Sequence, residues 1–165
     1  MAEPNIVERR ARRSLILAGD GVKVALQAGV VQVLLDEAEG LEFDHVDGAS
    51  GGSFNLAMLC QGLSGRRIAD NWRRFRPLRI VQPNLGFLLG ESIGRLEHLR
   101  DRVFPDWGLD FNAIRESTLD ATFNIYDFTR HELIVIEPAD MTPDLLLACV
   151  SLPMWFPPVR QRGES

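Results

Sequence analysis

Val46-Asp47-Gly48-Ala49-Ser50-Gly51-Gly52-Ser53 is the stretch that decides how the chain is read. Its Gly-x-Ser-x-Gly spacing is that of a nucleophile elbow, a sharp strand-to-helix turn with a serine at its apex. Such a turn strains the serine backbone and brings neighbouring main chain close, so Gly48 and Gly52 answer a steric need. The flanks agree. Leu41 to Val46 reads as a short strand, and Phe54 to Cys60 as the start of a helix whose N-terminal dipole would face Ser50.

On the N-terminal side, Ser14 to Ala18 is a short apolar run suited to a buried parallel strand. Gly19-Asp20-Gly21 breaks it, and Val22 to Glu39 reads as a buried helix, apolar on nearly every side, with Gly40 as its C-terminal cap. Strand, glycine turn, helix, strand, glycine turn, helix is a βαβα opening. It predicts an α/β layered sandwich, a central mostly parallel sheet flanked by helices with right-handed crossovers.

Further along, residues 65–79 place Ile68, Ala69, Trp72 and Phe75 on one helical face and Arg66, Arg67, Arg73 and Arg74 on the other. That basic face reads as a solvated helix surface or as one that meets anionic lipid headgroups. Pro83 to Gly90 is a loop carrying Leu85, Phe87, Leu88 and Leu89, which fits a lid or groove wall as well as a core-packing segment. Ser92 would cap a helix over 92–103, with Ile93, Leu96, Leu99 and Val103 at helical spacing. Thr122 to Tyr126 and Leu133 to Ile136 form a hairpin turning near Thr129-Arg130-His131. Thr142-Pro143-Asp144 starts a helix that runs to Ser151, before Pro153.

Composition narrows the class. A chain of 165 residues with 45% hydrophobic content is an ordinary globular domain, here a basic lead-in over 1–13 and a domain over 14–165. The net charge of -5 argues against a general nucleic-acid binder. No apolar run reaches the length of a membrane span, and Asp20 and Lys23 break the only run that could pass for a signal peptide. Cys60 and Cys149 sit in apolar helical surroundings as core residues, so cytoplasmic residence is expected. No His/Cys/carboxylate set has ligand spacing, and neither a metal nor a cofactor is expected.

Acyl transfer needs a nucleophile, a base and donors for the oxyanion. Ser50 supplies the first. Gly19-Asp20-Gly21, between a strand end and a helix start, offers backbone N–H groups for the third. A dinucleotide reading of that loop fails at Val24, where a glycine or alanine is needed, and a Walker loop fails for want of Gly-Lys-Ser/Thr. A triad reading must take its base from His45, His98 or His131, each of which falls at a strand, polar-helix or turn position.

Leu17 to Val30, Gly48 to Gly52, and Ala148 to Pro158 with its Phe-Pro-Pro ending together resemble the patatin-like phospholipase family, in order and in spacing, from about Leu15 to Val159. The resemblance implies a serine acyl hydrolase acting on phospholipid or other lipid esters through a Ser–Asp dyad. Ser50 would be the nucleophile, Gly19, Asp20, Gly21 and Gly51 the oxyanion hole, and Lys23 the loop's basic residue. The arginine face of 65–79 and the apolar 85–89 loop point to peripheral membrane contact. Two departures stand out: Asp20 where the family usually has its second glycine, and Val24 where it has its third. The family's aspartate follows the Phe-Pro-Pro segment in an Asp-Gly-Gly or Asp-Gly-Ala motif, and the sequence reaches Ser165 without one. The expectation is therefore the N-terminal part of a longer protein, inactive alone. A lipid-binding pseudoenzyme is the alternative.

Overall fold

The computed structural model describes residues 12–76, 82–83, 94–152 and 155–159. β1 (Ser14–Leu17), β2 (His45–Ala49), β5 (Ala121–Asp127) and β6 (Glu132–Ile136) form one sheet in the order β1-β2-β5-β6. β1 and β5 both run parallel to β2, and β6 closes antiparallel on β5. The parallel pairing of β1 with β2 is the one the βαβα reading requires, and the hairpin turns where expected. Asp127 caps that turn, accepting from the amides of Thr129 at 2.7 Å and Arg130 at 3.1 Å, bonds that hold its carboxyl below the usual range.

α1 (Val24–Asp36), preceded by a 3-10 turn over Gly21–Lys23, links β1 to β2. α2 (Gly52–Cys60) follows β2 and is buried at almost every residue, packed across β1, β2 and β5. α3 (Gly65–Arg74) lies along α1, so close at Gly65 that an added Cβ would stand 2.4 Å from the Gln32 Cα. Asp36 at the end of α1 caps α3, accepting from the Gly65 amide at 3.0 Å and the Arg66 amide at 2.6 Å. Buried Asn55 ties the three helices together. It donates to the Val24 carbonyl and Gln27 Oε1, and accepts from Trp72 Nε1 at 2.6 Å. Around it Phe54, Trp72, Phe104 and Trp107 stack into an aromatic core.

A two-residue ladder joins β3 (Gln82–Pro83) to β4 (Gly94–Arg95). A π-helical turn over Leu99–Val103 runs into α4 (Phe104–Asp106), followed by α5 (Phe111–Arg115). After β6, α6 (Pro143–Ala148) begins at Thr142, whose hydroxyl accepts from the Leu145 amide at 3.1 Å.

Several expectations are corrected. The strand before the serine spans His45–Ala49 rather than 41–46, because residues 41–43 pair with neither neighbouring strand. The first helix ends at Asp36, and Gly40, with φ +67, belongs to the following turn. Neither that helix nor β1 is fully buried. Val24, Ala28 and Val31 face the core, whereas Leu26 and Val30 are exposed, because the helix is covered on one side only among the described residues. β1 is an edge strand with Ile16 exposed, on the sheet face that also exposes Tyr126, Leu133 and Val135. The helix expected over 92–103 is displaced by β4 at Gly94–Arg95 and starts only after Leu96. α6 ends at Ala148, short of Ser151. The apolar residues of the 83–90 loop and Ser92 lie outside the described residues.

Candidate active site

β2 delivers Ser50 to the carboxyl end of the sheet, where sites of open α/β folds gather. Ser50 has φ +49, a left-handed conformation that serine rarely adopts. The strain, about 1–3 kcal/mol for such a residue, is held by what surrounds it. α2 starts two residues later, with the Ser53 amide bonded to the Ser50 carbonyl at 2.9 Å.

Each glycine of the elbow gives way to a particular neighbour. A Cβ at Gly48 would stand 2.9 Å from Leu56 Cδ2, where α2 folds back over β2. At Gly52 it would stand 1.9 Å from the Leu17 carbonyl oxygen, where α2 crosses β1. At Gly51 it would meet the Gly21 carbonyl oxygen at 2.7 Å and the Val24 methyls at 3.1 Å. The loop after β1 therefore rests directly on the elbow. Gly19 completes the contact, since its Cβ would fall 2.4 Å from Ser50 Cβ and 3.2 Å from Ser50 Oγ.

The structure thus brings together Gly19, Gly21, Gly48, Ser50, Gly51 and Gly52. It turns two loop residues outward. Asp20 and Lys23 are exposed and pair with each other at 3.3 Å, so neither charge is directed at the serine. Val24 is buried against Gly51. Among the described residues no group hydrogen-bonds Ser50 Oγ. His45 bonds Thr122 Oγ1 at 3.1 Å, His98 stands beside Arg102 in a separate cleft, and His131 sits in the hairpin turn with φ +57.

Sequence reading missed a polar network beside the elbow. Asp47 Oδ1 accepts from Thr122 Oγ1 at 2.6 Å and from Asn124 Nδ2 at 2.8 Å, and Asn124 also donates to the Gly48 carbonyl at 3.2 Å. Asn124 so fastens β5 to the last residues of β2 before the serine. No local signal could have found it, because its partners are more than seventy positions away in sequence.

Neither cysteine competes as a nucleophile. Burial pushes the thiols of Cys60 and Cys149 up to about 11, so both stay protonated at neutral pH. No group of three metal-ligating side chains occurs among the described residues, and none of their helices is long and apolar enough to cross a membrane.

Comparison with curated proteins gave no match. The family model for patatin-like phospholipase matches residues 15–165, which include β1, the glycine loop and the elbow. By that match and by the parallel sheet that carries Ser50, the chain belongs to the patatin-like phospholipase family.

Proposed function

We propose that this protein is a lipid acyl hydrolase in which Ser50 is the nucleophile. The observation that carries the reading is the strained Ser50, φ +49, with the Gly19 backbone against its side chain. Ser50 Oγ attacks the ester carbonyl while a base takes its proton. The carbonyl oxygen becomes an oxyanion beside the backbone amides of Gly19 to Gly21 and Gly51. Collapse expels the alcohol and leaves an acyl-serine, which an activated water then hydrolyses, returning the proton to Ser50. Because no described base reaches Ser50 Oγ, the base comes from outside the described residues. The resemblance implies its kind, an aspartate followed by glycine.

Asp20 speaks against the pseudoenzyme alternative, because its carboxylate points to solvent and is neutralised by Lys23. We place the protein in the cytoplasm, in peripheral contact with lipid through the exposed Arg66, Arg67 and Arg74 of α3. Fluorophosphonate labelling of the full natural polypeptide beside its Ser50→Ala variant tests the nucleophile. Labelling lost in the variant supports the proposal, whereas labelling retained in it, or absent from the wild type, refutes it.

A further inference from the structure

We infer that a second site, which takes a phosphate-bearing ligand, lies in the cleft between the C-terminal turn of α3 and the helical segment through α4. This cleft of about 510 Å³ is lined by Arg74 and Arg76 from one side and by His98 and Arg102 from the other. No residue of the elbow or of the Gly19–Gly21 loop lines it.

Its charge is one-sided. Among the described residues Asp106 is the only acidic residue on the wall, against three arginines. Among the described residues no carboxylate lies within ion-pair distance of Arg74, Arg76 or Arg102. The neighbouring arginines differ. Arg73 is paired with Asp70 at 2.6 Å, and Arg100 with Asp101 at 2.9 Å and Asp144 at 3.0 Å. The structural duty of capping the end of α3 falls to Arg76, which donates to the carbonyls of Arg73 at 3.2 Å and Phe75 at 3.4 Å. That duty does not explain Arg102, which comes from a different element and faces the same space.

Phe75 and Trp107, with ring centroids 5.6 Å apart, supply an apolar wall against which a bound anion would lose water and feel the guanidinium groups more strongly. Several arginines lining one space suit an acceptor with many oxygens, which favours phosphate over a single carboxylate. The volume exceeds that of free phosphate and fits a phosphate ester. The overall charge of -5 repels anions at long range, so capture here must be local.

The test uses calorimetry with glycerol 3-phosphate and inorganic phosphate, and flotation with phosphatidylcholine vesicles with and without phosphatidic acid. Wild type is compared with Arg74→Gln, Arg102→Gln, the double variant, and an Arg12→Gln/Arg13→Gln control that removes as much charge away from the cleft and from α3. Each cleft substitution is expected to weaken binding about tenfold, the double variant to abolish it, and the control to leave it nearly unchanged. Binding of glycerol 3-phosphate or inorganic phosphate in solution identifies a free phosphate compound as the ligand. Binding confined to vesicles that contain phosphatidic acid identifies a lipid headgroup. The proposal is overturned if no probe binds wild type, if the double variant binds as wild type does, or if the control weakens binding equally. Melting curves of the variants verify that each is folded.

Discussion

Gly19→Ala isolates the contact on which the site depends. The new Cβ would lie 2.4 Å from Ser50 Cβ and 3.1 Å from the Ala49 carbonyl oxygen. Ordinary contact between carbons begins near 3.5 Å, so the loop or the elbow must yield by about 1 Å. No rotamer change relieves this, because the clash is with a Cβ atom and with backbone. Overpacking of this kind costs about 1–3 kcal/mol, and a chain of this size loses about 2–4 °C of melting temperature per kcal/mol. The chemistry should suffer more, since a displacement of about 1 Å at a reacting group can cost roughly 100-fold in rate. The control is Gly62→Ala, away from the site. That glycine has φ +82 and nothing within 4 Å, so the substitution costs only conformational strain of about 1–2 kcal/mol. The two variants should therefore melt within a few degrees of each other, while only Gly19→Ala loses fluorophosphonate labelling of the full polypeptide. Labelling of Gly19→Ala as fast as wild type, or an equal loss in Gly62→Ala, would refute the reasoning.

Asn55→Ala should cost about 3 kcal/mol in denaturant melts, because it strips the buried Trp72 Nε1 and the Gln27 amide oxygen of their partner. Gly29→Ala should stabilise by about 1 kcal/mol in the same assay, since the position is helical with nothing within 4 Å of the new methyl. Stability should also fall at alkaline pH. The Cys60 and Cys149 thiols rise on folding from 9.0 to about 11, so the stability they contribute is full below about pH 9 and is lost as pH climbs through 11. Chemical denaturation of Cys60→Ala and Cys149→Ala across that range should show a flatter decline than wild type.

What the sequence made legible was local. Gly48, Ser50 and Gly52 announce the elbow because the turn's steric demand falls on residues two apart, and Thr142-Pro143 announces a helix start because cap and proline are adjacent. The βα alternation announced the parallel pairing of β1 with β2 for a similar reason, since a helix between two strands returns the chain in the same direction, whereas the place of β5 beside β2 was not announced. Burial was harder to read. An apolar strand or helix reads the same whether one face or both are covered, so the exposure of Ile16, Leu26 and Val30 could not be anticipated. Nor could the long-range polar nodes. Asn124 and Asn55 look like unremarkable polar residues until folding brings Asp47 to one and Trp72 to the other.

The two departures from the family pattern show why a motif mismatch has to be judged in three dimensions. A carboxylate at position 20 would oppose a developing oxyanion if it turned inward, but the backbone places it in solvent, where Lys23 meets it. The charge that threatened the site is spent on a neighbour three residues away. Val24 carries bulk at the point where the loop approaches the elbow, and its methyls fill the space against Gly51 that a glycine would leave open. Substituting Gly51 would be the costlier change, because a Cβ there meets the Gly21 carbonyl oxygen as well as both Val24 methyls. The sterically demanding position thus lies on the elbow and not on the loop. Val24 is tolerated because Gly51 is a glycine.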